Sequence, residues 1–128
     1  MTEVTKDEYF DAVRNRLPEL DYNKGLATCA GDRDFYLELL QDFTELPIKE
    51  ELNKFLEAGD AHNYCIRVHG FKNNAYSVGA VEIGDLAYEL ERLTKESVWD
   101  GVPGKQTYMF ELYDSVRQRY GEVRLTSE

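Results

Sequence analysis

The chain has 128 residues, 42% of them hydrophobic and 31% charged, with a formal net charge of -10 at pH 7. That is enough apolar material for one core without covalent staples, and too much for a disordered chain. The acidic balance excludes a sequence-independent grip on nucleic acid and disfavours anionic membrane surfaces, leaving a basic or mixed protein patch as the expected partner.

The hydrophobic pattern is helical almost throughout. Thr5-Lys6-Asp7-Glu8 reads as a capping box, and Tyr9, Phe10, Val13 and Leu17 follow at helical spacing. Pro18 and the polar run Asp21-Tyr22-Asn23 interrupt that helix. Gly25 to Ala30 adds a short helical turn before Gly31-Asp32 opens the next element.

Tyr36, Leu39, Leu40, Phe43 and Leu46 form an apolar stripe, resumed by Leu52, Phe55 and Leu56. Pro47 stands between the halves. It removes a backbone donor and crowds the preceding turn, so a kink or a restart is expected there. Gly59 ends that helix, and Asp60 is a natural N-cap for the next.

From Ala61 the stripe is Tyr64, Val68, Phe71, Ala75 and Val78, broken by Gly79. Ile83, Leu86, Leu90 and Leu93 mark a further helix. It is expected to end before Gly101-Val102-Pro103-Gly104, the clearest loop signal in the chain. Tyr108, Met109, Leu112, Val116 and Tyr120 mark the last helix.

No stretch alternates with period two, so no sheet is predicted. Four long amphipathic helices with short connections predict an all-α fold, an antiparallel four-helix bundle over residues 21–128. The shorter helix of residues 1–20 is expected to pack on one end of it, within a single domain.

Cys29 and Cys65 form neither a CxxC pair nor a disulfide framework, and are read as reduced thiols of a cytoplasmic protein. No apolar run approaches the roughly 18 residues of a membrane span. The opening MTEVTKDEYF lacks the basic-then-apolar order of a secretory signal.

The chemistry concentrates in HGFKNNAYSVGA, His69 to Ala80. Helical phase places His69 about 130° from the centre of the stripe of Val68, Phe71 and Ala75, together with His62, Asn73 and Tyr76. Lys72 and Asn73 lie one turn beyond the imidazole. Gly70 removes bulk beside it.

This stretch resembles the histidine-containing phosphotransfer (HPt) domains of bacterial two-component relays. The residues that carry the resemblance are His69, Phe71, Lys72 and the Gly79-Ala80 pair. Asp21 to Phe43 also looks like the family's lead-in to its first long helix, and the likeness spans residues 21 to 120. One position departs from the pattern: Asn73 stands where glycine is usual. Its side chain is placed either to narrow a partner's approach or to hydrogen-bond a phosphoryl oxygen.

The resemblance implies that His69 takes a phosphoryl group from the aspartate of one receiver domain and passes it to another. Response-regulator receivers and a hybrid histidine kinase are the implied partners, and the protein is expected as a monomer. Lys72 would offset phosphoryl charge. Ile66, Gly70, Asn73 and Tyr76 would form the docking surface.

A neutral imidazole suits the role, since imidazolium has no lone pair to offer. No GxxxxGK[ST] loop is present, so the chain is expected to be a phosphocarrier and not a kinase. No cofactor of its own is expected, and magnesium belongs to the partner receiver.

Three other readings compete. His62, Cys65 and His69 share one helix face and suit zinc, but on a straight helix they span about 10 Å, so two at most converge on one ion. A docking or inhibitory bundle would not need the nucleophile. The histidine-bearing domain of chemotaxis kinases is a closer relative, disfavoured by Gly79-Ala80 and by the lack of a following kinase region.

Overall fold

The computed structural model describes residues 5–127. Seven helices occupy them: α1 (Lys6–Arg16), α2 (Tyr22–Thr28), α3 (Arg33–Thr44), α4 (Ile48–Ala58), α5 (Ala61–Ser77), α6 (Val81–Lys95) and α7 (Val102–Ser127). No strand is present among the described residues, and the fold is all-α. Among the described residues, no helix is long and apolar enough to cross a membrane.

Caps set the boundaries. Thr5, Asp21, Asp32 and Asp60 each accept a hydrogen bond from the backbone amide three residues on, which satisfies one orphan donor at the start of α1, α2, α3 and α5. Asp21 therefore starts a helix, and Tyr22 and Asn23 form its first turn where the polar run suggested an interruption. Pro47 is the N-cap of α4, so the chain restarts there.

The expected loop at residues 101–104 is only partly a loop. The connection runs from Glu96 to Gly101, and Val102, Pro103 and Gly104 already belong to α7. Proline is tolerated in a helix's first turn, where its missing amide costs no hydrogen bond.

The core gathers one face from most of the helices. Phe71 of α5 stacks on Phe43 of α3 at 5.5 Å between ring centroids, and Tyr113 of α7 meets both rings edge-on at 5.2 and 5.1 Å. Burying one such ring contributes on the order of 1.5–3 kcal/mol. The Tyr113 hydroxyl donates to the carbonyls of Phe43 and Leu46, at the C-terminal end of α3. Tyr36 likewise donates to Val78 O at 2.8 Å, at the end of α5. Each tyrosine thus fills the core and places its hydroxyl on a backbone carbonyl near the C-terminal end of a helix.

The phase of α7 differs from the predicted stripe at one place. Tyr108 lies 46% exposed, with its hydroxyl donating to Glu82. Val102, Met109, Tyr113, Val116 and Tyr120 face inward instead. The α1 helix lies against α7 and α3. It is held by Phe10 and Val13 in the core, by the Tyr9–Tyr120 hydroxyl pair, and by ion pairs Arg16–Glu122 and Lys6–Asp34.

The most extensive helix contact joins α5 to α6. Gly79 makes their turn possible. Its φ is +79°, a left-handed conformation that favours glycine, and its carbonyl accepts from Asp21 N at 2.9 Å. A Cβ there would lie 2.2 Å from Asp21 O. Three residues after Ser77 the chain has reversed direction, and α6 runs back along α5.

Candidate functional site

The reversal at Gly79-Ala80 brings His69 of α5 beside Glu91 of α6. Imidazole Nδ1 lies 2.8 and 3.0 Å from the two Glu91 carboxylate oxygens. Lys72 Nζ donates to the same carboxylate at 2.7 and 3.3 Å. The three side chains differ in exposure: His69 is 54% exposed, whereas Lys72 and Glu91 are 14% and 17% exposed. A shielded ion pair thus sits behind an open imidazole.

The carboxylate fixes the ring's tautomer. An ionised carboxylate only accepts, so the nitrogen facing it carries the proton. In the neutral ring, Nδ1–H donates to Glu91 and Nε2 carries the lone pair. Lys72 Nζ also approaches Nδ1 to 3.4 Å, but two donors meet there, so this is proximity and not a hydrogen bond. Asn73 Nδ2 lies 3.4 Å from Nε2, on the lone-pair side.

Burial pushes the Glu91 carboxyl up, while hydrogen bonds from Lys72 and His69 pull it down, and the net position is below the ordinary carboxylate value. Glu91 is thus held as the anion that the tautomer requires. Its charge is matched by Lys72, whose ammonium also lies 5.4 Å from the centroid of the Tyr88 ring.

The remaining expected site residues fall into two groups. Ile66 is 57% exposed, one turn before His69. Gly70 has open space around it: an added Cβ would meet only an Arg67 guanidinium nitrogen at 3.8 Å. Tyr76 stands differently. Its ring lies against Gly84, where a Cβ would come within 2.4 Å of Tyr76 Cε1, and its hydroxyl donates to Asp85 at 2.6 Å. Tyr76 therefore ties α5 to α6 through both its ring and its hydroxyl.

His62, Cys65 and His69 line one open surface groove with Ile66, Glu91 and Lys95, about 610 Å³ in volume. The Cys65 thiol donates to Glu91 O at 3.6 Å. Among the described residues, no three His, Cys, Asp or Glu side chains group closely enough to hold a metal ion.

Two residues of this surface escaped the sequence reading, Glu91 and Tyr88. Both stand on α6 among other polar residues, and neither carries a local motif. A signal was nevertheless available in the spacing about Ala80. Tyr76 and Gly84 lie four residues either side of it, Lys72 and Tyr88 eight, and His69 and Glu91 eleven. Two antiparallel helices rise equally per residue, so residues equidistant from their turn come opposite each other.

No family model matches the sequence, and no curated protein or solved structure matches it.

Proposed function

We propose that this chain is a phosphorelay intermediate of the HPt type. His69 accepts a phosphoryl group from the aspartyl phosphate of one receiver domain and hands it to the aspartate of another. The supporting observation is the pairing of an exposed imidazole with a shielded carboxylate, which holds the proton on Nδ1 and leaves Nε2 as the nucleophile.

In the step, the lone pair of Nε2 forms a bond to phosphorus as the P–O bond to the aspartate breaks. The carboxylate leaves with that electron pair. The ring becomes cationic while Nδ1 keeps its proton, and Glu91 stabilises the new charge at 2.8 Å. Onward transfer reverses these changes at a second aspartate. Lys72 stands one turn from the imidazole and offsets charge on the phosphoryl oxygens, and magnesium belongs to the receiver. Phosphoryl transfer of this kind relies on positioning and charge, which a rigid helix face supplies.

Receiver domains would dock on the surface formed by Ile66, Gly70, Asn73 and Tyr76, with Tyr88 of α6 beside it. Ile66 and Tyr88 are 57% and 52% exposed, and apolar surface of that size beside a polar site suits a small transient interface. The reading carries with it an antiparallel four-helix arrangement of α3–α4, α5, α6 and α7, a cytoplasmic location in a bacterial cell, and a monomer. Its partners would be response regulators and a hybrid histidine kinase.

The test is incubation with a phosphorylated receiver domain. An acid-labile, alkali-stable label is expected on the wild-type chain and not on His69→Gln. Label persisting on His69→Gln would overturn the assignment.

A further inference from the structure

Resting on the phosphocarrier reading, we propose that Asn73 is a phosphoryl-binding residue that sets how long the phosphorylated state of His69 survives. Asn73 Nδ2 lies 3.4 Å from Nε2, and the Asn73 amide makes no other side-chain hydrogen bond among the described residues. Ser77 Oγ donates to the backbone carbonyl of Asn73, so it does not compete for the side chain.

The orientation of the amide follows from the imidazole. Glu91 holds the proton on Nδ1, so Nε2 presents a lone pair, and only the amino end of the Asn73 amide complements a lone pair. Phosphorylation consumes that lone pair in the N–P bond. The same N–H groups then face the phosphoryl oxygens that flank Nε2. A hydrogen bond to a charged acceptor is stronger than the one it replaces.

Other donors are occupied or on the wrong side. Lys72 Nζ stands by Nδ1 and is bound to Glu91 at 2.7 Å, so its charge acts on the phosphoryl group from a distance without a hydrogen bond to it. Asn73 is the free donor on the Nε2 side. In hydrolysis, a water oxygen bonds to phosphorus and the N–P bond breaks, with its electrons returning to Nε2 and inorganic phosphate leaving. An amide that holds the phosphoryl oxygens restrains the group against that displacement.

Two opposite effects of removing the amide follow. Uptake should not slow, because the free imidazole no longer has to release a hydrogen bond before attack. Loss should quicken, because the phosphoryl group is unrestrained. A merely structural role for Asn73 would not separate these rates.

The test uses a His62→Gln background, so that His69 is the one histidine of the chain, which has two. Potassium phosphoramidate serves as the donor: its N–P bond breaks, ammonia leaves, and Nε2 takes the phosphoryl group. The half-life of the alkali-stable label is then measured for Asn73, Asn73→Ala and Asn73→Asp chains. Alanine is the better helix former, and unchanged far-ultraviolet circular dichroism checks the fold.

Asn73→Ala is expected to shorten the half-life by roughly ten- to a hundredfold, the worth of one hydrogen bond to a charged group. Asn73→Asp should shorten it further by repulsion, and uptake by Asn73→Ala should match or exceed wild type. Equal half-lives for Asn73 and Asn73→Ala overturn the inference, as does a longer-lived label on Asn73→Asp. Labelling requires no receiver domain. Failure of receivers to exchange phosphate with His69 would therefore sink the phosphorelay reading while leaving the half-lives readable.

Discussion

His69 and Glu91 stand eleven residues either side of Ala80, and the antiparallel return of α6 along α5 sets imidazole Nδ1 2.8 Å from the carboxylate. The contact does two things at once: it fixes the proton on Nδ1 and prepares an anion for the cationic ring that forms on phosphorylation. Glu91→Gln keeps the shape but removes the charge, and lets the amide flip so that either end faces the ring. A hydrogen bond to a charged partner contributes about 1.5–3 kcal/mol, so transfer from a phosphorylated receiver is expected to slow by roughly ten- to a hundredfold. Initial rates of label uptake measure this. Wild-type rates in Glu91→Gln would show that the carboxylate only holds Lys72 in place.

Lys72 is shielded from solvent and bound to Glu91. Its charge is therefore split between neutralising Glu91 and attracting the phosphoryl group. Lys72→Ala leaves Glu91 without its cation, and Lys72→Met leaves the same charge deficit while keeping the half-buried stem. Both should slow transfer. Both should also lower the urea midpoint, Lys72→Ala further than Lys72→Met by the lost burial of its methylenes. Equal transfer rates in wild type and Lys72→Met would remove the proposed electrostatic role.

The local grammar of the chain was legible, and the long-range register was not. Asp60, Gly59 and Pro47 announce helix boundaries through backbone chemistry that acts within a few residues. His69 could be placed off the core stripe because a single helix fixes its own phase. Gly101-Val102-Pro103-Gly104 misled because proline breaks a helix interior but fits a first turn. Tyr108 reads as a core residue because it is aromatic and adjacent to Met109, yet it is exposed. The phase of α7 is set instead by Tyr113 reaching Phe43, Leu46 and Phe71 across the interior. Glu91 has no motif of its own and acquires meaning only when α6 folds back, and the turn at Gly79-Ala80 held the information needed to place it.

That turn gives a stability prediction with an internal control. Gly79 and Gly59 both have positive φ, at +79° and +64°. Around Gly59 nothing lies within 4 Å of an added Cβ, whereas at Gly79 it would collide with the backbone of Asp21. Gly59→Ala should cost about 1 kcal/mol, the strain of a left-handed alanine alone. Gly79→Ala should cost at least about 2 kcal/mol, because the α2 lead-in must shift and the Asp21 N–Gly79 O bond is disturbed. Urea denaturation of the two variants compares them directly. Equal losses would mean that the Asp21 segment yields without cost.

Acid should weaken the fold in part through Glu91. Burial raises this carboxyl, the bonds from Lys72 and His69 lower it more, and it lies below the ordinary 4.5 when folded. A depressed folded value means that the unfolded chain takes up the proton first as pH falls. The stabilisation is therefore complete well above pH 4.5 and is lost as pH drops through the folded value. Glu19, Asp60 and Glu122 are also depressed and contribute in the same direction. Comparing wild type with Glu91→Gln cancels them, because they are present in both chains. The stability gap between the two, read from urea midpoints, should be widest near pH 6 and should narrow between about pH 5 and pH 3. A gap that stays constant over that range would mean that Glu91 gains nothing from its cationic neighbours on folding.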